Sequence, residues 1–133
     1  MKYIDANVFI WPVLYNDSKA EYYKKIAKKI AKKEIIAYTS YLTWDEVVHI
    51  IKKHLGREIA VKKGKKLLRF PNLIFIETND EIINKAKDLI TNYNLGPRDA
   101  IHIASALTNK INEIISDDSD FDKIKEIKRI KPV

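Results

Sequence analysis

Cysteine is missing from the 133 residues. Its absence excludes disulfides, cysteine-based zinc fingers and thiol nucleophiles together, and it agrees with a reducing compartment. Glycine and proline are scarce, three and four residues, too few for a low-complexity or disordered chain. The glycines form no phosphate-cradling loop, and "GPRDA" is not one. Only three histidines occur. His49 and His54 are not spaced as a helical metal pair, and no serine–histidine–acid arrangement stands out. His102, three residues after Asp99, shares its helix face and so could reach a site there, but reads first as a packed helix histidine. No apolar run is long enough for a membrane span, and the opening "MKYIDANVFI" lacks the long apolar stretch and small-residue cleavage site of a secretory leader. The expected location is the cytoplasm, with no membrane contact.

What the chain has in excess is positive charge. Lys and Arg number 25 against 18 Asp and Glu, a formal charge of +7. That balance favours a polyanionic partner. Lys24, Lys28 and Lys32 recur every four residues, with Lys25, Lys29 and Lys33 beside them, as one lysine-covered helical face; such a face is more often solvated than bound to RNA.

The apolar pattern predicts strands over 2–4, 35–40, 72–78 and 112–116, with a short fifth over 127–132. It predicts helices over 18–34, capped by Ser18, over 43–55, halted by Gly56, and over 57–70, weakened by Gly64. Two more follow over 80–95, capped by Asn79, and 96–110, with Pro97 at the first position where its missing N–H costs nothing. The strands are continuous apolar runs, as in strands buried on both faces. The expected fold is α/β, a three-layer α/β/α sandwich around a largely parallel sheet of four to five strands, forming one domain over 1–133.

In an open parallel sheet, ligands bind beyond the carboxyl ends of the strands. Asp5 follows the first strand, with Asn7 in the same turn. Glu46 lies in the first turn of the helix after the second strand. Asp118 comes just after the fourth strand, and Asp99 opens the helix leading into it. Each acid has a structural explanation when taken alone: a capping box between Thr43 and Glu46, the helix dipole at Asp99, a strand end at Asp5, and a solvated turn for the cluster in "SDDSDFD". Four acids from four distant segments converging on one rim is a different matter. Crowded carboxylates repel, and a divalent cation relieves the repulsion. Mg²⁺ or Mn²⁺ prefers oxygen ligands, and Mg²⁺ keeps waters that leave room for a substrate phosphate.

Four blocks, "YIDANVFI", "TWDEVVHII", "GPRDAIHIASAL" and "IISDDSDFDKI", occur in this order across essentially the whole chain. In them the chain resembles PIN-domain ribonucleases, most closely the VapC-type toxins of prokaryotic toxin–antitoxin pairs. The resemblance implies Asp5, Glu46, Asp99 and Asp118 as catalytic acids and metal ligands, Asp5 and Asp99 foremost. It implies supporting roles for Asn7 and the Ser116 hydroxyl, an accessory acid at Asp120, solvated turn positions at Asp117 and Asp122, and a Phe121 packed beneath the loop. The implied activity is metal-dependent endonucleolytic cleavage of RNA with Mg²⁺ or Mn²⁺. The implied partners are a second copy of the chain in a homodimer and a small cognate antitoxin protein.

Asp45, beside Glu46, competes for the pocket only if the helix phase shifts by a residue; Val47, Val48 and Ile50 favour Glu46. A haloacid-dehalogenase-like phosphatase needs an acid at the position of Asn7, and a response-regulator receiver needs an acidic pair and a late lysine that "FIETND" does not supply. The remaining alternatives are a housekeeping RNA-processing nuclease of the same fold and a non-catalytic basic RNA-binding module.

Overall fold

A computed structural model describes residues 1–132; Val133, the last residue of the expected domain, lies outside them. The order is β1 (Lys2–Ile4), α1 (Asn7–Leu14), α2 (Ser18–Ala31), β2 (Ala37–Ser40), α3 (Tyr41–Leu55), α4 (Arg57–Leu68), β3 (Leu73–Ile76), α5 (Asp80–Tyr93), α6 (Pro97–Thr108), β4 (Glu113–Ile115), a 3₁₀ turn (Ser119–Lys123) and β5 (Lys128–Ile130). The five strands form one sheet in the order β3-β2-β1-β4-β5, and every pairing is parallel. This is the α/β sandwich read from the sequence.

Alternation along the central strands sends side chains to two separate cores. Tyr3 and Ile114 join α5 and α6 on one face, while Ile4 and Ile115 join α1–α4 on the other. The edge strand β3 departs from the two-face burial expected of it: Ile74 is 46% exposed.

Several local details differ from the expectations. The helix α1 has no counterpart in the pattern reading, because "NVFIWPVL" is almost uniformly apolar and carries Pro12 inside the helix, two features that hide helical periodicity. Asp17, not Ser18, caps α2, its carboxylate accepting the Ala20 N–H at 2.8 Å. The capping box does not form. α3 starts at Tyr41, two residues early, so Thr43 is a buried helix residue whose hydroxyl lies 2.6 Å from Thr39 Oγ1. Glu46 therefore sits in the second turn, not the first, and is released from a capping role. The cap at Asn79 and the stop at Gly56 are as expected, with Gly56 at φ 92°, a conformation that favours glycine. Gly64 has a packing reason: a Cβ there would stand 2.7 Å from Val48 Cγ2 and 3.0 Å from Trp44 Nε1. The glycine thus lets α4 approach α3 closely.

Candidate active site

All five candidate acids come from the carboxyl edge of the sheet or the helix turns that face it. Asp5 leaves β1 as a buried residue with both oxygens occupied. Oδ1 accepts the Ala6 N–H at 2.8 Å and Oδ2 accepts the Ser116 hydroxyl at 2.6 Å. Burial pushes its carboxyl up, against the opposing pull of His102 and the Ser116 hydrogen bond. Ser116 bridges two segments, since its oxygen also accepts the Asp118 N–H at 3.0 Å. Asn7, half-buried, is the first residue of α1.

Asp118 caps the 3₁₀ turn, its Oδ1 accepting the Asp120 N–H at 2.9 Å. That turn swings Asp120 toward the helix carrying Asp99. One carboxylate oxygen each of Asp99, Asp118 and Asp120 lies within 4.8 Å of the other two. Oxygens sharing one Mg²⁺ stand about 3 to 4 Å apart, so the trio could hold one ion after a small inward movement. The residue read as accessory, Asp120, is thus in the trio, and Asp5 is not. Asp99 registers the crowding. Its carboxyl is pushed up to about 6, by burial first and then by Asp118 and Asp5, with Glu46 adding to the same direction. An all-oxygen set whose charges work against one another is the donor chemistry a hard divalent cation satisfies.

Glu46 projects from α3 as a half-buried side chain, while Asp45 is exposed, so the helix phase favours Glu46. Glu46 Oε1 meets His102 Nε2. His102 is packed, as expected, but it also touches a site acid, a contact the sequence only hinted at through its position one turn after Asp99. Its other nitrogen, Nδ1, lies 2.6 Å from the Tyr3 hydroxyl. Burial alone would lower the histidine, but Tyr3, Glu46 and Asp5 together hold it above the ordinary imidazole range.

Asp117 and Asp122 are not the merely solvated residues the sequence suggested. Lys19, whose ammonium lies 4.4 Å over the Trp11 ring, pairs with Asp117. Arg129 Nε and Nη2 each reach Asp122 at 2.8 Å, while Nη1 touches the Ser116 carbonyl at 3.3 Å. Lys19 comes from α2, far along the chain from Asp117, and Arg129 from β5, seven residues beyond Asp122. The four aspartates of the loop therefore divide. Two are neutralised by cations and tether the loop; Asp118 and Asp120 face Asp99. Phe121 is buried beneath them.

The PIN domain family matches residues 2–127. The chain belongs to the PIN-domain family. This PIN domain is 35% identical over 89 residues to Ribonuclease VapC6 of Methanocaldococcus jannaschii, covering 63% of this chain and 58% of that protein. It thus spans little more than half the length of that relative. Ribonuclease VapC2 of the same organism is 28% identical over 134 residues, covering 92% of this chain and 87% of that one. Among solved structures, VapBC2 of Rickettsia felis, bound to a DNA fragment from its promoter, superposes with a TM-score of 0.78 at 15% identity over 98% of both chains. VapC20 of Mycobacterium tuberculosis, a Sarcin-Ricin loop cleaving toxin, gives 0.77 at 14% identity over 94% of this chain and 95% of that one. Likeness at that identity speaks to the fold.

Proposed function

We propose that this PIN domain is a divalent-metal-dependent endoribonuclease and the toxin of a toxin–antitoxin pair. The observation that carries the reading is the trio of Asp99, Asp118 and Asp120 oxygens within 4.8 Å at the sheet's carboxyl edge. Asp5 and Glu46 are close enough to raise Asp99 further. The names of its VapC relatives support the same class.

Asp99, Asp118 and Asp120 would hold Mg²⁺ or Mn²⁺, with Asp5 and Glu46 completing the site directly or through water. Bound there, the ion supplies Lewis-acid polarisation of a phosphodiester and activation of water. The rest falls to the chain's own groups. Asp5, gripped by Ser116 and Ala6, fixes the floor of the site and the start of the loop. Glu46, the most exposed of its buried network, is placed to take a proton from an incoming water at its free oxygen.

Charge distribution supports an RNA substrate. Residues 18–70 carry fifteen Lys and Arg against five Asp and Glu, whereas residues 71–132 carry nine against eleven. The basic surface is thus concentrated on the layer of α2–α4 and attracts a polyanion that the acidic pocket alone would repel.

A protein partner is supported by a second feature of that layer. A cavity of about 490 Å³ runs between α1–α2 and α3–α4, lined by Phe9, Val13, Ile51 and Leu55 and rimmed by Lys24 and Lys63. An apolar segment flanked by acids suits it, and a small antitoxin is the partner we assign to it. Homodimer formation belongs to the same proposal. Among the described residues no helix is long and apolar enough to cross a membrane.

The test is inducible expression in a bacterial host. A toxin arrests growth and yields cellular RNA cut at discrete positions, and Asp5→Ala abolishes both. Tolerated expression with intact RNA would remove the toxin reading.

A further inference from the structure

Four polar side chains from four elements form a row through the α6 layer. Ser40 Oγ, at the end of β2, accepts the Tyr3 hydroxyl at 2.9 Å. The Tyr3 oxygen lies 2.6 Å from His102 Nδ1, and His102 Nε2 meets Glu46 Oε1. Ser40 and Tyr3 are fully buried and His102 is 1% exposed. Only Glu46, with a quarter of its side chain accessible, emerges at the site rim.

Such a row is costly to bury, and stability does not explain it. The surroundings are apolar (Ala100, Ile103 and Ala104 on α6), and replacing a whole buried polar network by well-packed apolar residues is often neutral or stabilising, whereas removing one partner alone is costly. The row makes sense as geometry. Asp99 and Asp118 have short side chains that their backbones fix; Glu46 has one more torsion and starts from a helix in the opposite layer. Among the described residues its one side-chain partner is His102. That histidine sits one turn after Asp99 on α6. The bond thus sets the position of the acid on α3 relative to the acid on α6, while Tyr3 and Ser40 stop the imidazole from turning.

We propose that His102, braced by Tyr3 and Ser40, is a positioning residue that fixes the Glu46 carboxylate at the rim, leaving Oε2 for metal or water. The proposal rests on the nuclease reading for its purpose, but its geometry can be tested without cleavage.

The experiment compares His102→Leu, His102→Gln and Tyr3→Phe, each also in a Glu46→Ala background. The readouts are Mn²⁺ affinity by electron paramagnetic resonance, cleavage kcat and KM on a defined RNA, and Tm in chelator. Loss of a bracing partner commonly costs 10- to 100-fold in metal affinity or activity. His102→Leu is expected to lower Mn²⁺ affinity and kcat by about 10-fold or more, with KM nearly unchanged; Tm in chelator falls for the lost buried partner but stays well above the assay temperature. His102→Gln, which keeps an N–H near the Nε2 position, recovers much of the loss, and Tyr3→Phe, which removes only the hydroxyl, gives a smaller loss. In the Glu46→Ala background none of the three lowers Mn²⁺ affinity further. Equal losses with and without Glu46, or wild-type affinity and kcat in both His102→Leu and Tyr3→Phe, would overturn the proposal. Should His102→Leu fail to fold, Tyr3→Phe carries the same comparison. If the wild type cleaves no RNA, the nuclease reading fails, while the Mn²⁺ cycle still decides the positioning role.

Discussion

Replacing Asp99 by Asn should stabilise the metal-free protein. Asp99 is lifted to about 6 from 3.8 by burial and by Asp118 and Asp5. In a fully shielded site that difference corresponds to about 3 kcal/mol held against the ionised form. Asp99 is half-buried and solvent screens it, which reduces the figure to about 1 kcal/mol. Asn keeps the shape and removes the charge. For a chain of this length the gain is a Tm rise of about 3 °C in chelator at pH 7. The sign with pH follows from linkage. The unfolded chain releases the Asp99 proton first, so between 3.8 and about 6 the folded state holds the extra proton. Wild-type stability from this group therefore falls as pH rises through that window and is flat above it. The advantage of Asp99→Asn should be near zero at pH 4 and full by pH 7. Mg²⁺ should reverse the ranking, raising the wild-type Tm more than the variant's. Calorimetric melts at pH 4, 5, 6 and 7, with chelator and with Mg²⁺, supply the numbers. A variant no more stable than wild type at pH 7 in chelator, or a difference independent of pH, would refute the crowded-acid reasoning.

Other substitutions test separate links. Gly64→Ala should lose about 1 kcal/mol despite the better helix former, because its Cβ would meet Val48 at 2.7 Å; a chemical denaturation midpoint reads it. Asn79→Ala removes the acceptor of the Ile82 N–H and should cost about 1 kcal/mol with no change in Mn²⁺ affinity. Arg129→Met releases Asp122 and the Ser116 carbonyl. It should speed hydrogen exchange at the amides of 117–123 and weaken Mn²⁺ binding while Tm changes little.

The architecture was legible because its signal is periodic and long-range sterics leave few choices. Continuous apolar strands separated by amphipathic helices imply a parallel sheet, and a parallel sheet implies which edge collects Asp5, Asp99 and Asp118. Legibility ended where position depends on one residue of phase or on a distant partner. The start of α3 at Tyr41 was hidden because Ser40, its N-cap, makes no capping bond and instead receives the Tyr3 hydroxyl. Thr43 was the better sequence match for a cap, yet its hydroxyl serves Thr39. Asp120 reads as accessory in a linear motif; only the 3₁₀ turn capped by Asp118 brings it beside Asp99. Asp117 and Asp122 look solvated because Lys19 and Arg129 approach from other segments. His102 shares a helix face with Asp99, so its reach toward the site is legible from spacing; its partner Glu46 is not, because that acid comes from α3.

The most direct test of the account is cleavage of a mixed pool of structured RNAs by the purified protein, with Mg²⁺, with Mn²⁺ and with chelator, beside Asp5→Ala and Asp118→Asn. The expected result is discrete fragments that require metal and vanish in both variants. Fragments that persist in chelator or in both variants would contradict a metal-loaded acid site. Intact RNA in every lane, with no Mn²⁺ bound by the wild type, would leave a basic PIN fold that binds nucleic acid without cutting it.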